Sequence, residues 1–521
     1  MRNPPLLSTG DGTPPFQAKM DTNFILTKII ATLGPASADM ETIVRLTEEG
    51  ARVFRINFSH GTFEQFDRLL AMVRQAGQET GTAVSALGDL SGPKLRLGKV
   101  AGDGIDLHPG DTVVLQQLTI TAEPNDHQIV FSTNSPQVIA EIEPGQRLLI
   151  NDGAVRMLGT EKIEREGNAA IVCQVTVGGR VSSSKGVNLP DSELALPSMT
   201  DHDWRCVQWA VENEIDLLAL SFVRRADDVR QLQSALAQRQ RKGMQRIPVI
   251  AKIEKPQALD DLDAIVATAD AVMVARGDLG IEMDLAKVPI IQKRIIALAH
   301  DLGKPVIVAT QMLQSMIDKP SPTRAEVSDV ANAIYDGADA VMLSGETAVG
   351  SYPTRAVAMM ARVASITLNQ MICDGTLTND RVTARPDESR YRTAALAHGV
   401  ASIVGDLDAR LVVTWSQRGG GALYLSRTRL GVPVIAASSD MAALRRMNIL
   451  YGVIPVLMAQ PKDRAEFAAQ ADELVQQRGW ARPGDPIVLV AGEPMGVAGV
   501  TNAIWVRYVG DVCSLPGSRE P

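Results

Sequence analysis

The chain has 521 residues, enough for about three domains, and its 45% hydrophobic and 21% charged content is that of a globular protein. Aromatics make up only 4%, so the core must be aliphatic; a net charge of −8 without basic runs interleaved with aromatics excludes nucleic acid as the main partner. No stretch of about 18 apolar residues is present to span a membrane and the first residues lack a secretion signal's apolar core, so no membrane role and a cytoplasmic location are expected. Cys173, Cys206, Cys373 and Cys513 are far apart without a C-x-x-C pair, which suits reduced thiols.

Residues 1–22, rich in Pro, Gly, Ser and Thr, read as a disordered N-terminal extension. Lys28–Thr32 is a first strand, and Ser37 or Asp39 can cap a helix through Leu46. Val53–Asn57 is a second strand, Phe63–Gln78 an amphipathic helix and Ala83–Asp89 a third strand. From 94 to 190 the rhythm changes to short alternating runs, Thr112–Leu115, Arg147–Ile150, Val155–Leu158 and Ala170–Val177, separated by Pro-Gly and Asn-Asp-Gly turns. That pattern predicts a β-rich lid domain, a small β-barrel, inserted after the third strand.

Strand–helix alternation returns with a helix from Thr200 to Glu214 and five more strands: Leu217–Ser221, Val249–Ile253, Ala271–Val274, Val306–Ala309 and Ala340–Leu343. Three plus five strands make an α/β fold with a (β/α)8 TIM barrel, spanning 23–93 and 191–372, whose active site belongs at the strand C-termini. A helix from Arg355 to Ile372 is followed by a polar linker, 373–390. Residues 391–521 read as a C-terminal α/β regulatory domain with strands Ala409–Thr414, Val434–Ala437, Val453–Val456, Pro486–Ala491 and Ala503–Val509, and helices near 391–404, 440–450 and 464–479.

The predicted barrel strands all end on polar residues, and the stretch from Val249 to Glu282 is the richest. Two β-branched runs there stop at Lys252 and Glu254 and at Arg276 and Asp278, with a helix expected over Pro256–Ala269 between them. Lys252 and Glu254 are two apart and share one face of a strand. Two carboxylates and two cations from adjacent parallel strands can meet around one metal and one anionic substrate; the bland alternative is helix caps and surface ion pairs.

The chain resembles the pyruvate kinase family, bacterial and cytosolic in type, through Ala-Thr-Leu-Gly-Pro-Ala-Ser (31–37), Arg-Ile-Asn-Phe-Ser-His-Gly (55–61), Lys-Gly-Val-Asn-Leu-Pro (185–190), Lys-Ile-Glu (252–254), Ala-Arg-Gly-Asp-Leu-Gly (275–280), Ala-Thr-Gln-Met-Leu-Gln-Ser-Met (309–316), Pro-Thr-Arg-Ala-Glu-Val-Ser-Asp-Val-Ala-Asn-Ala (322–333) and Leu-Ser-Gly-Glu-Thr-Ala (343–348). The resemblance implies phosphoryl transfer from phosphoenolpyruvate to ADP, giving pyruvate and ATP, in a cytoplasmic homotetramer with a small-molecule allosteric effector. It makes Glu254 and Asp278 ligands of Mg2+ or Mn2+, and Lys252 the cation that stabilises the phosphoryl group in flight. Arg55 becomes a phosphate ligand, and Thr310, with Ser344, the source of the proton for the enolate. Gly277 and Asp278 would offer backbone N–H groups to the substrate carboxylate, and Glu346 would serve the hydrogen-bond network below Ser344. Pro35, His60, Arg96, Asp152 and Lys185 match positions around the nucleotide.

Asn57, Ser59, Asp89 and the Leu90 carbonyl match the family's potassium site. Lys94, however, stands where K+-requiring relatives have Glu, so the expectation is that its ammonium replaces the ion and K+ is not required. In the last domain Thr-Trp-Ser-Gln-Arg-Gly-Gly-Gly (414–421) departs from the family's effector loop at Gln417. That points away from fructose 1,6-bisphosphate and toward AMP or a sugar monophosphate. The competing readings are a barrel lyase or aldolase acting on oxaloacetate-like acids with Mg2+ on the same Glu254 and Asp278, a Schiff-base role for Lys252, and a non-catalytic homologue.

Overall fold

The computed structural model describes residues 24–123, 129–192, 197–240, 245–377, 391–495 and 499–511. The expected N-terminal extension, residues 378–390 of the expected linker and Cys513 lie outside them.

Eight parallel strands close into a barrel: β1 (Lys28–Thr32), β2 (Ala51–Asn57), β3 (Ser85–Asp89), β4 (Leu217–Leu220), β5 (Val249–Ile253), β6 (Ala271–Ala275), β7 (Val306–Ala309) and β8 (Ala340–Leu343), with β1 pairing to β8 at the seam. Each strand is short and apolar because both its faces are covered. The two-residue period divides them. Ile30, Val53, Leu87, Ala219, Ile250 and Met273 fill the interior, whereas Ile29, Phe54, Leu218, Ala251 and Val272 pack outward against the helices. Burying each such large side chain contributes about 1.5–3 kcal/mol. Where β2 ends, Phe58, Phe66 and Trp209 form an aromatic cluster with centroids 5.0–5.8 Å apart. Gly88 makes room for them, since a Cβ there would lie 2.6 Å from the Phe58 ring.

The helices start where the chain supplies caps. Asp39, not Ser37, caps Met40–Glu48, and capping boxes open Phe63–Glu79 (Thr62, Gln65), Asp201–Glu212 (Thr200, Asp203) and Arg324–Tyr335 (Thr323, Glu326). The helix expected over Pro256–Ala269 is instead two pieces, a 3-10 turn at Pro256–Leu259 and a helix at Leu262–Thr268. The break falls at Asp260 and Asp261, where the Asp261 carboxylate accepts a hydrogen bond from the Ala226 N–H at 2.7 Å. Pro353–Cys373 is long and apolar enough to cross a membrane by length and composition, which the sequence reading did not register. Half of its most apolar window is buried, with Val357, Met360, Ala364 and Leu368 in the barrel's outer core.

Between β3 and β4 the chain builds a curled six-stranded sheet that includes the long hairpin Val155–Arg165 and Asn168–Val177, flanked by two short strand pairs and filled by Val113, Leu115, Phe131, Leu148, Val155 and Ile171. The departing segment is tied to the barrel by Asp203, whose Oδ1 accepts the N–H groups of Ser91 and Gly92.

The C-terminal unit carries β9 (Leu411–Trp415), β10 (Val434–Ser438), β11 (Val453–Leu457), β12 (Pro486–Ala491) and β13 (Ala503–Tyr508), in the order β11-β10-β9-β12-β13. It docks on the strand starts, at the opposite end of the barrel from the charged strand ends. Arg429 donates to Gly337 O and pairs with Asp339, Asn448 donates to Ala83 O, and Lys28 donates to Val453 O.

Candidate active site

The charged residues on which β2, β3 and β5 end converge on Lys252. Its ammonium lies 2.7 Å from Glu254 Oε1, 3.2 Å from Asp89 Oδ1 and 2.7 Å from Ser221 Oγ. Arg55 reaches the same Asp89 with Nε and Nη2 at 2.7 and 2.6 Å, and its Nη1 lies 3.2 Å from Thr32 Oγ1. Burial alone would push the Lys252 ammonium down; the carboxylates of Asp89 and Glu254 outweigh it and hold the amine charged well above the usual lysine range. Burial would likewise raise the Asp89 carboxyl, but Lys252 and Arg55 keep it below its ordinary value. Glu254 is pushed up, first by burial and then by Asp278, against the pull of Lys252. Ser221, which the sequence reading marked only as a strand end, is thus a ligand of the central ammonium.

Glu254 Oε2 accepts the Phe222 N–H at 2.8 Å, a contact made possible by a left-handed Phe222 with φ 55°. Asp278 sits in the first turn of the helix Arg276–Glu282 and not at its cap, which removes the bland capping role. Among the described residues its carboxylate has no hydrogen-bonding partner, and it lines the cleft above the barrel. No cluster of three or more His, Cys, Asp or Glu occurs among the described residues. The donor set of Glu254 and Asp278 therefore fits a hard cation that takes two carboxylates and completes its shell with water and substrate oxygens, as magnesium does.

Thr310 follows β7 with φ 71°, and Gln311 with φ 54°. Its Oγ1 accepts the Gly277 N–H at 2.7 Å and donates to Ala309 O at 2.6 Å. Gly277 is therefore not a free donor as expected, because Thr310 occupies its N–H. Arg276 points away from the cleft: it pairs with Asp329 at 2.7 Å and donates to Thr310 O at 2.9 Å, bracing the turn. The fully buried Glu346 accepts the N–H groups of Leu313 and Ser344, locking the ends of β7 and β8 together beside Thr310.

A cleft of ≈ 870 Å3 opens between the segments that follow β4, β5 and β6 and the inserted sheet, lined by Lys94, Asp152 and Gly186 on one side and by Phe222, Lys255 and Asp278 on the other. Asp152 has φ 54°. Arg96 bridges the segment that carries Lys185, with Nη1 on Ser184 O at 3.0 Å and Leu97 N on Lys185 O at 2.8 Å. His60 is pushed below its ordinary pKa by burial and then by Arg96, Lys94 and Arg55, which shows that these cations share its surroundings. Pro35 is exposed on the loop after β1, a loop that Ala36 N fastens to Ala348 O at 2.9 Å.

Asn57 and Asp89 are neighbours in register, and Asn57 Oδ1 accepts the Ser59 N–H. Leu90 is buried and donates to Ala219 O. Lys94 is exposed at the hinge and lines the cleft. The sequence reading missed the buried Glu282, which takes Asn188 of the inserted sheet and Lys255, each at 2.6 Å. An acid in an otherwise apolar helix end was the available signal.

A closed parallel barrel with carboxylates and cations gathered at its strand C-termini, beside an inserted sheet, has the architecture of a barrel enzyme with its site at the strand ends. Residues 25–357 match the family model "Pyruvate kinase, barrel domain" and residues 394–507 match "Pyruvate kinase, alpha/beta domain". Proteins named pyruvate kinase are similar over 93% of this chain: 42% identical in Methylorubrum extorquens, covering 97% of that relative, and 39% in Corynebacterium glutamicum and 38% in Mycobacterium tuberculosis, covering 98% of each. The chain belongs to the pyruvate kinase family.

Proposed function

We propose that the protein transfers the phosphoryl group of phosphoenolpyruvate to ADP, giving pyruvate and ATP. The observation that carries this reading is the buried Lys252 ammonium, fixed between Asp89, Glu254 and Ser221 beside Arg55. Phosphoryl transfer asks chiefly for positioning and fixed positive charge. Arg55 offers a planar fork to phosphate oxygens, and Lys252 a point charge where the phosphoryl group leaves and the enolate oxygen develops. Glu254 and Asp278 would hold Mg2+ or Mn2+, which supplies charge neutralisation on the transferring group when bound. Thr310 then assists protonation of the enolate carbon. A hydroxyl is a weak acid, so its proton is relayed, with Ser344 and the adjoining Glu346 network ordering the path.

The nucleotide side is assigned to Pro35, His60, Arg96, Asp152 and Lys185, the last three from the inserted sheet that closes the cleft. The charged state of Lys252 speaks against the Schiff-base alternative, which needs a neutral amine. Pyruvate formation that depends on both ADP and a divalent metal is the direct test; pyruvate released without ADP would favour the lyase reading.

Three finer assignments belong to the same proposal. Asp89 already has both oxygens engaged by Arg55, Lys252 and Ser221, which supports an enzyme in which Lys94 supplies the charge that K+ would bring. In the C-terminal unit Gly419 is left-handed at φ 83°, and a Cβ on Gly421 would face the hydroxyls of Thr501, Ser416 and Thr414 at 3.2–3.7 Å. That hydroxyl-lined turn before the helix Gly420–Arg427 supports an anionic effector, AMP or a sugar monophosphate. Leu285 and Ile290 are exposed on the barrel flank, and β13 exposes Val506 and Tyr508 at a sheet edge, which supports assembly into a homotetramer.

A further inference from the structure

Asp278 has no hydrogen-bonding partner of its own among the described residues, so its place is set by the seven-residue helix Arg276–Glu282 that carries it. The first turn of that helix is braced by Thr310, which accepts from Arg276 and Gly277. Its last residue, Glu282, is 2% exposed. Glu282 Oε1 accepts hydrogen bonds from Lys255 Nζ and Asn188 Nδ2, each at 2.6 Å. Oε2 of the same carboxylate is buried and has no hydrogen-bonding partner among the described residues. Lys255 directly follows Glu254 in the chain. Its ammonium also lies 5.6 Å from the centre of the Phe222 ring, and the Phe222 N–H holds Glu254 Oε2 at 2.8 Å.

The Lys255–Glu282 pair thus joins the segment after β5 to the helix after β6, next to Glu254 on one side and about one helical turn beyond Asp278 on the other. A buried ion pair that leaves one carboxylate oxygen bare gains little net stability, because desolvation offsets the attraction. What such a pair fixes is a distance. A cation held by two carboxylates from separate segments needs that distance constant to about 0.5 Å. The Asn188 amide, from the inserted sheet, shares the oxygen and orients the carboxylate. Resting on the assignment of Glu254 and Asp278 to the divalent metal, we propose that Glu282 and Lys255 are positioning residues for that metal: their ion pair sets the spacing of the two carboxylates.

The opposite charges of the pair separate positioning from a simple field effect. Neutralising Glu282 removes a negative charge near the metal and weakens cation binding by either route. Neutralising Lys255 removes a positive charge, so the field alone would make cation binding tighter. Loss of the spacing makes it weaker. Positioning therefore gives both variants the same sign, and the field gives them opposite signs.

The test is Mn2+ binding to the full chain without substrates, followed by electron paramagnetic resonance. Lys255→Met and Glu282→Gln are each expected to raise the Mn2+ Kd about tenfold, the scale on which the outer partners of metal ligands act. The double variant should bind no more weakly than the weaker single one, since both changes break one pair. Lys255→Arg keeps the charge and should bind Mn2+ more tightly than Lys255→Met. Asn188→Ala leaves the pair intact and should stay close to the parent. Thermal unfolding checks that the variants fold; should Glu282→Gln fail to fold, the Lys255 variants decide, because that side chain is partly exposed. Mn2+ binding that is unchanged or tighter in Lys255→Met overturns the proposal, as does a loss in Asn188→Ala as large as that in Lys255→Met. Asp278→Ala tells the two readings apart. Parental Mn2+ binding in that variant removes the metal assignment itself; weakened binding there, with parental binding in Lys255→Met, keeps the assignment and removes only the positioning role.

Discussion

The ammonium of Lys252, on β5, and the carboxylate of Glu254, the residue just past that strand's end, form a buried ion pair at 2.7 Å, and Asp278, whose charge acts on Glu254, lines the cleft. Burial of both partners makes the pair dependent on the neighbours that complete it: Asp89 and Ser221 on the lysine side, the Phe222 N–H on the glutamate side. Lys252→Met removes the positive charge while keeping the length of the side chain. Turnover should fall by about 10³-fold or more, the scale of losing a fixed transition-state donor, while phosphoenolpyruvate still binds. Steady-state kinetics with a direct binding measurement checks this; intact turnover with weakened affinity would remove Lys252 from the chemical step.

Asp278 has no hydrogen-bonding partner among the described residues, so Asp278→Ala should leave the fold in place while raising the Mn2+ concentration needed for half-maximal activity and lowering turnover. Mn2+ binding followed by electron paramagnetic resonance gives a readout apart from activity. A variant that binds Mn2+ and turns over like the parent would show that the metal sits elsewhere.

Thr310→Ala removes the hydroxyl that accepts the Gly277 N–H. Exchange of pyruvate methyl protons with solvent should slow by ~10²-fold or more, the usual effect of losing an acid–base group. Exchange at the parental rate in this variant would take Thr310 out of proton transfer and leave it a bracing role.

Lys94 should make the enzyme indifferent to potassium: activity with tetramethylammonium as the sole monovalent cation is expected to be near that with K+, and Lys94→Glu should create a K+ requirement. A wild-type enzyme silent until K+ is added would assign the ion to Asn57, Ser59 and Asp89 instead.

Lys28 predicts a pH dependence of stability. Its native pKa, about 7, lies below the ordinary 10.5, so between those values the unfolded chain holds a proton that the native state has released. Native stability from this group therefore rises with pH across that window, and below pH 7 the penalty of the buried charge is constant. Lys28→Met lacks the effect. It should be more stable than the parent at pH 7, with the difference in Tm shrinking toward pH 9; a difference that stays constant would mean that Lys28 does not titrate there.

Much of this was written in the local sequence. A barrel strand such as Ala-Val-Met-Val-Ala must be apolar on both faces, so its runs and their polar ends are visible without any structure, and with them Lys252, Glu254, Arg55 and Asp278 as strand-end residues. Capping chemistry is equally local: the helix after β1 starts at Asp39, one of the two caps the sequence offered. What the tertiary structure decided is who meets whom. Asp89 and Lys252 are 163 positions apart, and only closure of the barrel puts Ser221 on the ammonium between them. The break at Asp261 comes from a distant backbone N–H, and Thr310 took the Gly277 donor only because β6 and β7 are adjacent. The buried charges Glu282 and Lys28 were invisible for the same reason. Periodicity reports which face of an element is covered, but the partner of a buried charge is supplied by another part of the chain and depends on three-dimensional packing.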